Sequence, residues 1–261
     1  DALIPGEDFL IDPGSPSFVT DTNGKGLKIK KVDLARIHDT ADWAKQLAKF
    51  DSAHAYVLKN VDLFCKDVLD IPASAFAAEL PKGCYIIPEE KKLTWSVSRE
   101  VNDATVFYVR EGLIPKKFKN VGVNVQNEFI TRYHNDNILG ILPGDEQDSF
   151  LVFTAHYDHL GHMGDSVHAV FPGASDNASG TAMMLYLADY FAKHPHKYTM
   201  LFIAFAGEEA GLMGSEFYLY QPTVSVTNIK FLVNLDIIGN AKNGITIVNA
   251  LKNQELVDTL K

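Results

Sequence analysis

Cysteine is scarce: Cys65 and Cys84, which could pair or stay free, are too few to define a redox compartment, and no CxxC spacing offers a thiolate metal site. Basic charge is also short. Lys and Arg number 24 against 33 Asp and Glu, the formal net charge is −9, and no basic patch is clustered. Nucleic acid is therefore not expected as a partner, because phosphate binding calls for a basic surface. Long apolar runs are missing. Residues 150–155 and 201–206 are among the longest, strand-sized and far short of a membrane span, so no membrane span is expected. No low-complexity tract, internal repeat or signal peptide is visible, and a start at Asp1 rather than Met leads us to expect a segment upstream. The HExxH helix pattern of single-zinc proteases is absent. So is the GxSxG elbow of serine hydrolases.

What remains is the composition of a soluble globular protein, 46% apolar and 22% charged, long enough for one large domain or two smaller ones. Residues 1–115 read as short mixed elements. Gly6, Pro13, Gly14 and Pro16 mark turns, and residues 21–25 form another loop. Trp43, Leu47 and Phe50 stand near helical spacing within 40–50, with Thr40 as N-cap. Strands are expected at 53–58, 84–87, 93–98 and 105–110. No catalytic cluster falls in this half, which reads as an accessory module.

From about Val121 the texture changes. Val121, Val123 and Val125 alternate, residues 137–142 form a further strand, and Pro143 and Gly144 make a turn. Three near-continuous apolar runs follow at 150–155, 200–206 and 231–235, as in strands covered on both faces. Met183, Met184, Leu187, Tyr190 and Phe191 give 178–192 a helical spacing. The pattern predicts an α/β fold: a mostly parallel, mixed central sheet with helices on both faces over 116–261, plus a smaller mixed accessory domain over 1–115.

Polar residues follow each apolar run. The first ends in His156, Tyr157, Asp158 and His159; the second runs into Glu208 and Glu209; the third ends at Asp236; and Asp176 opens the intervening helix. Taken singly, Asp176 reads as an N-cap, the glutamates as solvated surface and His156 as a satisfied core histidine. Asp236 is odder, since an unpaired carboxylate beside apolar residues is costly to bury. Jointly, His156, Asp176, Glu209 and Asp236 stand 20, 33 and 27 residues apart, each at a place where an open α/β sheet gathers ligands. Imidazole with carboxylates and no thiolate fits zinc in a catalytic setting, with cobalt or manganese as substitutes in vitro. Gly173, Gly180 and Gly207 permit tight backbone around such ions. His159, His162 and His168 read as surface loop, and His194 and His196 as the exposed end of the helix.

Four ordered strings closely resemble the M28 family of co-catalytic zinc peptidases: Thr154-Ala155-His156-Tyr157-Asp158-His159-Leu160-Gly161, Gly173-Ala174-Ser175-Asp176-Asn177-Ala178-Ser179-Gly180, Phe205-Ala206-Gly207-Glu208-Glu209-Ala210-Gly211-Leu212-Met213-Gly214-Ser215, and Asn234-Leu235-Asp236-Ile237-Ile238-Gly239. The resemblance covers about 119–245. It implies that Asp176 bridges two Zn2+ ions, that His156 and Asp236 hold one, and that Glu209 holds the other. It further implies that the Asp158 carboxylate accepts a hydrogen bond from the remaining ring nitrogen of His156, that Glu208 is the general base, and that the Asp176–Asn177 peptide is cis. An aminopeptidase acting on the N-terminal residues of peptides is the activity implied. A carboxypeptidase or glutaminyl cyclase on the same scaffold, or a non-catalytic binding relative, are the alternatives. Family habit also implies a secreted or periplasmic location and a protease-associated-type insert over 1–115. A further histidine ligand is expected downstream of Asp236. The last histidine here is His196, so the chain is expected to be incomplete at its C-terminal end.

Overall fold

The computed structural model describes residues 2–20, 26–115, 117–164, 169–240, 242 and 244–259. The loop expected at 21–25 and His168 lie outside the described residues. The chain divides into two compact units, Asp1–His134 with Leu160–Phe171, and Asn135–His159 with Pro172–Lys261.

The first unit is built on β1 (Phe9–Ile11), β2 (Phe18–Val19), β3 (Leu27–Asp33), β4 (His54–Lys59), β5 (Gly83–Glu89), β6 (Ala104–Arg110), β7 (Asn120–Val121) and β8 (Asn124–Val125), with helices α1 (Thr40–Leu47) and α2 (Val61–Phe64). Six of these strands form one sheet in the order β1-β6-β5-β4-β3-β7, parallel from β3 to β6 and antiparallel at both edges. Strand period sorts the side chains. Tyr56, Leu58, Tyr85 and Val106 join Trp43, Phe64 and Phe76 in one core, while Ala55 and Cys84 face the other way with Val123 and Val125. Both cysteines are buried and free.

Three details differ from expectation. Asp39, not Thr40, caps α1, its carboxylate accepting the Asp42 N–H at 2.7 Å. Residues 93–98 make no strand; Trp95 Nε1 donates to the Ile11 carbonyl at 2.6 Å and its ring stacks on Phe171. Val121 and Val125 pair with Leu27 and Phe18, so this unit runs past the boundary expected at 115.

The second unit holds β9 (Ile138–Leu142), β10 (Glu146–His156), β13 (Tyr198–Phe205) and β14 (Ile229–Asn234), with α3 (Ser179–Ala192) and α4 (Met213–Tyr220); β11 (Gly161–His162) and β12 (Val170–Phe171) form a hairpin in the first unit. The sheet order is β14-β10-β13-β9, with β10 parallel to both β13 and β14 and β9 antiparallel at the edge. It is the mixed, mostly parallel α/β sheet that the apolar runs predict. Alternate residues of β13 face opposite helices. Met200, Phe202 and Ala204 pack with Met184, Leu187 and Phe191 of α3, whereas Leu201 and Ile203 pack with Tyr218 of α4. β14 departs from the doubly covered reading: Phe231 and Leu232 are 37% and 48% exposed on a strand at the edge of the described sheet.

Candidate metal centre

Three parallel strands end at one edge of this sheet, so their next residues converge. β10 ends on His156, with Asp158 two residues beyond; β13 leads into Glu208 and Glu209; β14 leads into Asp236. Asp176 lies in the turn Ala174–Ala178 before α3, at non-helical backbone angles, and the peptide joining it to Asn177 is cis. The N-cap of α3 is Ala178, and Asn177 Oδ1 accepts the Gly180 N–H of the first turn at 3.0 Å. Asp176 is therefore not the cap of α3. Its Oδ1 stands 3.2 Å from His156 Nε2, and Asp236 Oδ1 stands 3.4 Å from the same nitrogen.

Backbone and side-chain contacts hold these pieces in register. Asn177 is buried at 2% exposure; its Nδ2 donates to the Leu235 carbonyl, and its Oδ1 also accepts from Ile237 N. Leu235 N donates to the Thr154 carbonyl, and Thr154 Oγ1 to Asn234 Oδ1 at 2.7 Å. Thr181 Oγ1 donates to the His156 carbonyl. Gly180 passes so near Leu235 that a Cβ would collide with the Leu235 carbonyl oxygen.

Asp158 does a different job from the one expected. Its carboxylate is 3.8 Å from His156 Nδ1, too far for a hydrogen bond, and His156 Nδ1 instead meets the Asp158 backbone carbonyl at 3.1 Å. The main-chain carbonyl thus sets Nδ1 as the protonated nitrogen and points Nε2 at the carboxylates. The Asp158 carboxylate accepts the backbone N–H groups of Glu208 and Glu209 at 3.1 and 3.2 Å, which fixes the turn after β13.

Two groups of side chains have the spacing of metal ligands: His156, Asp176 and Asp236, and His159, Asp176 and Glu209. Asp176 belongs to both. All four residues expected as ligands are thus brought together, and His159 is added. Its Nδ1 lies 2.7 Å from Glu209 Oε1. The sequence signal for His159 was its place three residues after His156 on the loop leaving β10, a position that reads equally well as surface.

The electrostatics fit a cation. Burial pushes the His156 pKa down, but Glu208, Asp236 and Asp158 outweigh it and the imidazole is raised above its ordinary value. Burial raises Glu208; His156 opposes this, and the carboxylates of Glu209, Asp236 and Asp158 add to it. Crowded carboxylates with one buried imidazole form a donor set of the hard and borderline kind that zinc takes in catalytic centres. Beside the cluster opens a cavity of about 440 Å3 with Tyr157, Pro172, Ala182 and Leu185 in its wall.

The strand ends of an α/β sheet thus collect imidazole and carboxylate side chains around a shared aspartate, at spacings that could hold metal ions. Residues 137–260 match the family model described as peptidase family M28. A probable zinc metalloprotease of Pyrenophora tritici-repentis is 36% identical over 133 residues, covering 44% of this chain and 29% of the relative. Aminopeptidase YwaD of Bacillus subtilis is 35% identical over 131 residues, covering 48% of this chain and 27% of its own length. The chain thus spans less than a third of the length of these curated relatives. Among solved structures, a zinc aminopeptidase from Bacillus subtilis has a TM-score of 0.52 at 22% identity, over 90% of this chain and 54% of that one. A peptidase M28 precursor from Shewanella amazonensis has a TM-score of 0.51 at 15% identity, over 87% of this chain and 54% of that one. These two likenesses show the fold. Among the described residues, no helix is long and apolar enough to cross a membrane.

Proposed function

We propose that this chain is the metal-binding part of a zinc-dependent aminopeptidase that removes N-terminal residues from peptides. The observation carrying the proposal is the sharing of Asp176 by two ligand groups, with His156 and Asp236 on one side and Glu209 on the other. A carboxylate has two oxygens, so one aspartate can face two ions at once. When bound, a pair of zinc ions would polarise the scissile carbonyl and lower the pKa of the attacking water.

The residues of the chain supply the rest. Glu208 stands outside both ligand groups, so its carboxylate is left free to act as a general base. It takes a proton from the attacking water and passes it to the leaving amine. Asp158 holds Glu208 in place through the backbone N–H. The cavity lined by Pro172, Ala182 and Leu185 has room for a substrate side chain. Residues 1–115 are assigned, in the same proposal, to an accessory module of the protease-associated type, and a secreted or periplasmic location rests on the resemblance alone.

The name of the Bacillus relative and the Gly207-to-Ser215 string favour an aminopeptidase over other M28 activities. Assays on the zinc-loaded whole protein with aminoacyl-anilides and with N-blocked peptides separate them. Release from the free-amine substrates alone is expected. Cleavage of blocked peptides alone points to a different M28 activity, and stoichiometric zinc binding without cleavage of either substrate sinks the enzymatic reading.

A further inference from the structure

The two histidines of the centre meet their carboxylates at different distances. His156 Nε2 is 3.2 and 3.4 Å from Asp176 Oδ1 and Asp236 Oδ1. Two ligand atoms on a tetrahedral zinc with bonds of about 2.0–2.1 Å stand roughly 3.3 Å apart, so these are ligand spacings. His159 Nδ1 and Glu209 Oε1, at 2.7 Å, are closer than that edge and at the length of a charge-assisted N–H···O bond. An ionised carboxylate can only accept, so Nδ1 carries the proton, and a protonated ring nitrogen has no lone pair for a metal.

The ring is also held from behind. Gly173 has φ 67°, and a Cβ there would come within 3.1 Å of the His159 ring carbons. The His159 and Glu209 side chains are 21% and 17% exposed, so water competes little for the bond.

We propose that His159 is a positioning residue: its Nδ1–H grips one oxygen of Glu209 and turns the other toward the ion shared with Asp176. A glutamate has three rotatable bonds to freeze before it can ligate, and a fixed donor removes that freedom in advance. The inference rests on the two-ion reading above. Its content is separate, because it concerns the bond between His159 Nδ1 and Glu209, whichever way Nε2 faces.

The test is zinc titration of the full chain against a chromophoric chelator, in the wild type, His159→Phe and His159→Asn. Phenylalanine fills the ring's space without a donor. Asparagine places an amide N–H where Nδ1 was and is a poor zinc ligand. The wild type is expected to take two ions. His159→Phe should weaken the second by about 10- to 100-fold and spare the first, and His159→Asn should recover most of the loss. Equal affinity for the second ion in His159→Phe and the wild type overturns the inference. So does His159→Asn binding as weakly as His159→Phe, the behaviour of a lost ligand. A wild type that holds fewer than two ions overturns the two-ion reading itself, a result visible without either variant.

Discussion

Asn177 Nδ2 donates to the Leu235 carbonyl at 2.9 Å, so the residue after one metal-facing aspartate grips the residue before another. This bond ties the turn before α3 to the residue that follows β14, beside Asp176 and Asp236 at 3.2 and 3.4 Å from His156 Nε2. Asn177→Ala strips partners from Leu235 O, Gly180 N and Ile237 N together. Each buried group left unsatisfied costs about 1–3 kcal/mol. Urea unfolding followed by circular dichroism should show a clear loss of stability, and zinc affinity should fall about 10-fold or more as the two carboxylates drift. Unchanged zinc affinity in a destabilised variant would show that Asn177 supports the fold and not the centre.

Glu208→Gln keeps the size and hydrogen-bonding reach of the side chain but removes the base. On the proposed function, turnover of an aminoacyl-anilide should drop by about 10²- to 10⁴-fold. Glu208 belongs to neither ligand group, so zinc content should stay at the wild-type value. Elemental analysis and kcat measured on the same preparation check both halves. A parallel loss of zinc and turnover would make Glu208 a ligand instead.

The convergence of His156, Asp176, Glu209 and Asp236 was legible because His156, Glu209 and Asp236 each follow a strand-length apolar run, Asp176 opens the helix between two of them, and parallel strands put such positions at one edge. What the sequence hid are contacts set by tertiary approach. Nothing local says that Asp158 turns its carboxylate to two amides 50 and 51 residues away, leaving His156 to the main-chain carbonyl. The pairing of His159 with Glu209, 50 residues on, was hidden in the same way. Residues 93–98 carry a strand-like composition, but Trp95 is held by its side chain to Ile11 and Phe171, and no ladder forms. At α1, two adjacent capping residues compete, and the choice of Asp39 over Thr40 depends on backbone angles that composition does not reveal.

Asp158 makes its own prediction. Asp158→Ala removes the acceptor from both Glu208 N and Glu209 N, while Asp158→Asn leaves one oxygen for one of them. Amide hydrogen exchange read residue by residue should speed up at both positions in the alanine variant, by roughly 10-fold for a bond worth about 1–1.5 kcal/mol. The asparagine variant should fall between. Protection equal to wild type at both amides in Asp158→Ala would mean that the turn after β13 stands without this carboxylate.

Asp12 in the first unit gives a pH test free of the metal centre. It is 7% exposed, and burial raises its pKa, against hydrogen bonds from Gly14 N, Tyr108 OH and Asn102 Nδ2 that lower it. The folded unit therefore binds this proton more tightly than the unfolded chain does. The resulting stability is fully present below the ordinary aspartate value and is lost as pH rises through the raised folded value. Asp12→Asn abolishes the titration yet can keep the contacts, with Oδ1 accepting from Gly14 and Asn102 and Nδ2 donating to the Tyr108 oxygen. Both tryptophans, Trp43 and Trp95, lie in this unit, so fluorescence-detected urea unfolding reports on it. Stability of the wild type relative to Asp12→Asn should decline from acid pH, below the ordinary aspartate value, to neutral pH. A difference that holds constant, or that grows in the wild type's favour as pH rises, would mean that the carboxylate is stabilised in the fold by its three donors more than burial penalises it.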